Sequence, residues 1–247
     1  MTALDANPEA FLTHLGTAAP VGAVASDEVV RLAARSSEPL FRSVFRLRFA
    51  DEAALERRLG ELIGRSGMWW LGPSARPATA GAVLERTGVA RVATMSLMTA
   101  DLTGMPSGPA DVDVAPVRSA AALTGWVRAH AAAYGHPPHV EQAWLAVMSA
   151  LGTRPDAPLQ HFLATVDGEP AAAASTFAAA GVVGLYNVAT VPGFRGRGAG
   201  TAVSLAALAH GRQTAHRFAM LGAEPAAAGF YHRLGFRAGA TMAVHVG

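Results

Sequence analysis

Between Val188 and Ala209 a β-branched run meets a proline, an arginine–glycine turn and then a helical pattern, and this stretch constrains the fold more than any other. It reads Val188-Ala189-Thr190-Val191-Pro192-Gly193-Phe194-Arg195-Gly196-Arg197-Gly198-Ala199-Gly200-Thr201, followed by Val203, Leu205, Ala206, Leu208 and Ala209. A strand that feeds a glycine-rich loop opening a helix makes an anion cradle. The backbone N–H groups at the helix start lack partners and converge, and the helix dipole adds to the attraction. Glycine permits positive φ and lets a ligand approach the backbone. The chain therefore predicts a phosphate-bearing ligand.

Two better-known phosphate loops are excluded. A P-loop needs Lys followed by Ser or Thr, and the chain has no lysine: all 20 of its basic residues are Arg. A dinucleotide turn needs Gly-x-Gly-x-x-Gly and an acidic residue about 20 positions on. Here Gly196, Gly198 and Gly200 are spaced otherwise, position 203 is Val, and the next acid, Glu224, lies past a second strand. What remains is Arg-x-x-Gly-x-Gly, with Arg195, Gly198 and Gly200 at the fixed positions.

That pattern resembles the pyrophosphate loop of the GNAT superfamily of acyl-CoA-dependent N-acyltransferases. Downstream, Phe230-Tyr231-His232-Arg233-Leu234-Gly235-Phe236 is similar to the superfamily's aromatic-Tyr-x-x-x-Gly-Phe signature on its last helix. The order and spacing of the two blocks suit one helix, one strand and one helix between them. Periodicity and turn signals independently give a strand at 112–117, helices at 120–133 and 141–151, and strands at 160–166, 170–179 and 182–191. A helix from 198 to about 215, a strand at 218–221, a helix at 225–234 and a strand at 236–246 follow. This order is that of the GNAT superfamily, and the resemblance implies an α/β (α+β) class with a mixed, mostly antiparallel sheet and helices on both faces.

Asp101-Leu102-Thr103-Gly104-Met105-Pro106-Ser107-Gly108-Pro109 reads as a linker. It divides an N-terminal α/β domain, 1–107, from a catalytic domain, 108–247. In the first domain the patterns predict helices at 27–36, 51–63 and about 78–86, and strands at 42–49 and 68–71. Met68-Trp69-Trp70-Leu71 carries a tryptophan pair expected in a core or an interface. The segment resembles the degenerate N-terminal half of some bacterial tandem GNAT proteins. Lacking Arg-x-x-Gly-x-Gly, it is expected to hold no cofactor and to serve a structural or dimerising role, or to wall the substrate pocket.

Composition narrows the chemistry. With Cys 0 there is no thiolate nucleophile, disulfide or cysteine metal site, and without lysine there is no Schiff base. Residues 1–110 carry 11 Arg against 11 acids and residues 111–247 carry 9 against 7. The net charge of +2 is too small and too dispersed for a nucleic-acid surface. No leader or membrane-length apolar run is evident, so a cytoplasmic location with no membrane partner is expected.

The resemblance implies acetyl-CoA as co-substrate, transfer of its acetyl group to a primary amine of a small molecule or protein, and direct attack in a ternary complex. It implies that the backbone of Arg195, Gly196, Arg197, Gly198, Ala199 and Gly200, with the Thr201 hydroxyl as a further donor, anchors the pyrophosphate. Val188, Ala189 and Thr190 would lie beside the pantetheine arm. A backbone N–H of Val188 or Ala189 would face the thioester oxygen, a donor worth about 3 kcal/mol of barrier in acyl transfer. Arg195 and Arg197 offer forks for phosphate. Tyr231 carries the leaving-group role, and Glu224, seven residues before it, stands where the superfamily often has Asn.

Glu224 is either a helix cap or a group reaching the acceptor amine. The general base is open among Glu224, Glu141, His139, His161 and Tyr186. Tyr186 and Asn187, on the strand before the loop, and His136 and His139, in a Pro-rich loop, are candidates for contact with the acceptor. Two prolines separate these histidines and no third ligand is near, so no metal is expected. The alternative reading is a non-catalytic acyl-CoA-binding or sensory protein.

Overall fold

The computed structural model describes residues 2–36, 38–109 and 111–247. In chain order the elements are α1 (Ala3–Leu15), β1 (Ala23–Ala25), β2 (Val29–Leu32), β3 (Ser43–Leu47), α2 (Glu52–Ile63), β4 (Met68–Leu71), α3 (Ala80–Arg86) and β5 (Ala90–Asp101). There follow β6 (Asp113–Pro116), α4 (Ala120–Tyr134), α5 (Pro138–Leu151), β7 (Leu159–Val166), β8 (Glu169–Ala179), β9 (Val182–Thr190), α6 (Ala199–Gln213), β10 (Phe218–Ala223), α7 (Pro225–Arg233) and β11 (Arg237–Val246). No helix among the described residues is long and apolar enough to cross a membrane.

Two compact units form, and they interleave along the chain. One comprises residues 1–97, 222–228 and 238–247; the other comprises 98–221 and 229–237. This departs from a boundary at 107/108. Hydrogen bonding decides it: β11 pairs antiparallel with β4, Ala243 opposite Leu71 and Val246 opposite Met68, so the last strand completes the first unit. The end of β5 goes to the second unit, where Leu102 N–H donates to the Arg217 carbonyl and Arg217 pairs with Asp101. The expected linker at 101–109 is not a free tether either. Its Leu102 is buried, and Leu102, Met105, Gly108 and Pro109 border a cavity over α6.

In the first unit the strand order is β1-β2-β3-β4-β11-β5. The helix expected at 27–36 is the strand β2, paired to β1 and to β3. Val29, Val30 and Leu32 are buried, and β-branched side chains pack better on a pleated surface than on a helix turn. α2 is built as its sequence dictates: Asp51 accepts a hydrogen bond from Ala54 N–H at the start, and Leu55, Leu59 and Leu62 supply one apolar stripe. That stripe meets Trp69 and Leu71 of β4 and Val83 and Leu84 of α3 in one cluster. Trp69 is fully buried, as expected of a core tryptophan, while Trp70 donates its indole N–H to Ser43 Oγ at 2.9 Å.

The second unit orders its strands β10-β9-β8-β7-β6, antiparallel except for the parallel β9–β10 pair. Helices cover both faces. His161 of β7 lies against Trp126 of α4, with ring centroids 4.6 Å apart, while its neighbour Phe162 meets His210 of α6 at 5.6 Å. Successive strand residues point to opposite faces, so α4 and α6 lie on opposite sides.

α6 sits very close to the sheet at Gly211. A Cβ there would fall 2.7 Å from Val183 Cγ1 and 3.2 Å from Val183 Cβ. Both positions are buried, so neither element can give way cheaply. Ala should recover about 1 kcal/mol of helix propensity against an overpacking cost of roughly 1–3 kcal/mol. Gly211→Ala is therefore expected to lower stability by about 1 kcal/mol, read as a lower urea midpoint at constant m-value. An unchanged or raised midpoint would show that the helix shifts freely on the sheet.

Candidate active site

Two interruptions of regular pairing in the second unit open a place for a ligand. The β9–β10 ladder holds Val183 opposite Ala219 and Gly184 opposite Met220, and stops there. On its other side β9 follows β8 with a bulge: Tyr186 pairs with Ser175 and Ala189 with Ala173, so Asn187 and Val188 together oppose Ala174. Asn187 makes the bulge by adopting φ 53°, a left-handed conformation that Asn tolerates better than most residues. Leu185–Thr190 thus offers backbone N–H and C=O groups on an edge that β10 does not fill. An extended ligand can add to such an edge as a further strand would.

The strand then delivers the chain into the glycine loop. Phe194 N–H donates to the Val191 carbonyl and Arg195 N–H to that of Pro192, winding one tight turn. Gly196 and Gly198 take φ of 77° and 83°, and Gly198 is the left-handed residue from which α6 starts. The first-turn N–H groups of Ala199, Gly200 and Thr201 have no acceptor within the helix and lie at the positive end of its dipole. Gly200 is required by closeness: a Cβ there would lie 2.7 Å from Thr190 Oγ1.

Both loop arginines are engaged by the protein. Arg195 donates from Nε to the Thr190 carbonyl and from Nη2 to the Ala133 carbonyl, each at 3.3 Å, tying the end of β9 to the end of α4. Arg197 pairs with Asp167 at 3.1 Å and lies over the Phe194 ring. Arg195 has no free fork, whereas Arg197 engages the protein through Nη2 alone, so the backbone donors are not the loop's only groups for an anion.

α4 and the turn after it crowd the bulge with aromatic groups. Ser119 caps α4 by accepting from Ala122 N–H, and Gly135 closes it with φ 67°. The last residue, Tyr134, donates its hydroxyl to the Val188 carbonyl at 3.4 Å. Trp126 donates its indole N–H to the carbonyl of Ala174, the residue facing the bulge. His130 stacks on Trp126 at 5.4 Å and packs against Trp144, Tyr134 and His136 at 4.4, 4.8 and 5.5 Å.

Burial holds this layer neutral. His161 is 1% exposed, and desolvation, with a lesser push from Arg118, brings its pKa down to about 3. Its Nδ1 lies 2.8 Å from Ser175 Oγ, while Nε2 has no hydrogen-bond partner. His130 is likewise depressed to about 3, by burial first and then by His136 and His161. Its Nδ1 and Asn187 Nδ2 are also buried without partners. Tyr186 turns its hydroxyl to Met220 Sδ, and burial pushes its phenol well above the ordinary value.

The sequence candidates are thus only partly gathered. The loop, Tyr186, Asn187, Val188 and His136 belong to one neighbourhood of the second unit. His139 and Glu141 stand on the first turn of α5, His139 exposed and Glu141 half-buried. Tyr231 belongs to the same unit, 8% exposed on α7, with Phe230 and Phe236 edge-on to its ring at 5.0 and 6.0 Å. Glu224 belongs to the first unit. Its carbonyl accepts from Ala227 and Ala228 N–H to start α7, and its side chain is exposed. Tyr134, Ser175 and His130 carry no local motif; only the aromatic spacing along α4 hinted at the last. Among the described residues no group of three or more His, Asp or Glu could hold a metal.

Residues 123–236 match the acetyltransferase (GNAT) family, from α4 through the bulge and loop to the end of the Tyr231 signature. This segment is a GNAT acetyltransferase domain. Solved structures extend the likeness beyond it. A GCN5-related N-acetyltransferase from Kribbella flavida superposes with a TM-score of 0.73 over 100% of this chain and 96% of its own, at 22% identity. A second from Sphaerobacter thermophilus gives 0.57 over 89% and 80%, at 17% identity. A tandem GNAT protein from the clavulanic acid biosynthesis pathway gives 0.59 over 89% and 78%, at 12% identity. At these identities the likeness is one of fold. Comparison with curated proteins finds no match.

Proposed function

We propose that the GNAT domain transfers the acetyl group of acetyl-CoA to a primary amine, on a small molecule or a protein, by direct attack within a ternary complex. One observation carries the reading: the unpaired edge of β9, bulged at Asn187, leads without interruption into the N–H groups that open α6. The two features suit the two ends of one ligand, a thread-like amide arm and a pyrophosphate. The buried, unpartnered Asn187 Nδ2 fits such a ligand too.

Bound there, acetyl-CoA supplies an acyl group activated as a thioester. Residues 196–201 hold the diphosphate through backbone donors, and Leu185–Thr190 align the arm. A backbone N–H at Val188 or Ala189 stabilises negative charge on the carbonyl oxygen, and Tyr231 donates a hydrogen bond to the departing sulfur. For the proton lost by the amine, Tyr186 and His161 are poor acceptors. The phenol is driven further from ionisation, and an imidazole of pKa about 3 holds a proton weakly. Glu141, His139 and Glu224 remain.

The test is release of free thiol from acetyl-CoA across a panel of primary amines, followed over pH. At least one amine should raise the rate well above hydrolysis, and the acid limb should vanish on substituting the base by its amide or Asn. Binding of coenzyme A with no amine-dependent release anywhere in the panel would instead establish the non-catalytic, acyl-CoA-sensing reading.

A further inference from the structure

Five of the arginines of the first unit find acidic partners. Arg46 and Arg48 share Glu9, Arg58 meets Glu61, Arg86 meets Glu52 and Glu56, and Arg91 meets Glu85. Arg76 donates to the carbonyls of Pro73 and Ala75. Four others behave differently. Arg31 on β2, Arg35 just after it, Arg42 leading into β3 and Arg65 just past α2 line one cavity of about 650 Å³, together with Ser36. No acidic side chain lines it, and no ion pair joins any of the four to a carboxylate among the described residues.

This is more than a solvated basic face. Arg42 Nε is buried and has no hydrogen-bond partner, so its N–H cannot turn to bulk water. Arg31 and Arg42 are half-buried, which holds their charges in a medium where repulsion is screened less than at the surface. Arg31 accordingly has its pKa lowered, by burial first and then by Arg65. Unpaired like charges gathered around a concavity are complementary to an anion.

The lining also says which anion. The hollow is open to solvent and wider than one phosphate, and four guanidinium groups offer several forks for bidentate pairing. No aromatic side chain lines it to stack a nucleobase. It lies by the carboxyl end of α2, where the dipole repels anions, so the arginines alone must hold the ligand. The amino end of that helix is closed by the Asp51 carboxylate.

We propose that this cavity binds a compact polyanion carrying two or more phosphate groups and no aromatic ring, at a site within the first unit and separate from the glycine loop.

Titration calorimetry on the full chain, in phosphate-free buffer at low salt, tests this with tripolyphosphate as probe and with orthophosphate and citrate in parallel. Expected are saturable one-to-one binding of tripolyphosphate that weakens as salt rises, and orthophosphate at least tenfold weaker. Arg42→Gln with Arg65→Gln should weaken tripolyphosphate at least tenfold, while Arg57→Gln, exposed on α2, leaves it unchanged. Because the pair relieves repulsion, the doubly substituted apo chain should melt no lower than the parent. Should it fail to fold, the exposed Arg35→Gln must still lower affinity severalfold. Undiminished binding in these variants would place the anion elsewhere and overturn the proposal. So would heats that never saturate, or citrate binding more tightly than tripolyphosphate.

Discussion

Lowering the pH from 7 to 5 is expected to cost the folded chain about 4 kcal/mol, because His130 and His161 are buried neutral against the sheet. Both have pKa values of about 3 in the fold, against 6.5 for the ordinary imidazole. The unfolded chain therefore takes up protons that the folded chain refuses. Stability from this source is complete above pH 6.5 and drains away as pH falls toward 3. Each histidine contributes roughly 2 kcal/mol of the loss between pH 7 and 5. Refusal has two roots. Trp126 and Trp144 exclude water from His130, and a charge on either ring would face its neighbours His136 or Arg118. Urea unfolding followed by fluorescence at pH 7, 6 and 5 measures the slope. His130→Gln and His161→Gln should each remove roughly 2 kcal/mol of the loss, over the smaller contributions of His14, His210 and His245, whose pKa values burial also lowers. A midpoint that does not move between pH 7 and 5 would mean that both rings ionise within the fold.

Tyr231→Phe should lower kcat for thiol release by about a hundredfold or more, the range of a single positioned proton donor, with little change in KM for acetyl-CoA. A phenol near pKa 10 is protonated at neutral pH while a free thiol lies near 8.5, so full transfer is uphill and hydrogen bonding to the thiolate suffices. The substitution removes one oxygen and keeps the edge-on contacts with Phe230 and Phe236, so the end of α7 should persist. Equal kcat in both proteins would strike Tyr231 from the mechanism. A raised KM with kcat intact would assign it to binding instead.

Legibility in the sequence tracked locality. From Val112 onward every expected element is present, and its ends shift by no more than a few residues, because turns such as Asp167-Gly168 and caps such as Ser119 and Gly135 are written beside the elements they bound. The segment at 27–36 misled because four strand residues show too little periodicity to separate from one helical turn. Pairing with β1 and β3 decides its state. The same division runs through the site. Gly198 and Gly200 announced themselves, since their conformation and closeness are demanded locally. The bulge at Asn187 did not, because it exists only relative to Ala174 on the next strand. Nor could the sequence show that Arg195 turns back to Thr190 and Ala133, or that four arginines scattered from 31 to 65 surround one cavity.

The interleaved pairing of β4 with β11 bears on how the protein is made. Domains generally fold as they leave the ribosome, the amino-terminal one first. Here the leading unit emerges without the strand that lies between β4 and β5, and it waits for the whole acetyltransferase domain to be synthesised before that strand arrives. Meanwhile β4 exposes an unpaired edge, Met68-Trp69-Trp70-Leu71, apolar and free of charge, the kind of edge that recruits other chains. A fragment cut at the 101–109 stretch would keep that edge permanently. Expressed alone, it should gather into aggregates that the intact chain avoids by supplying its own last strand.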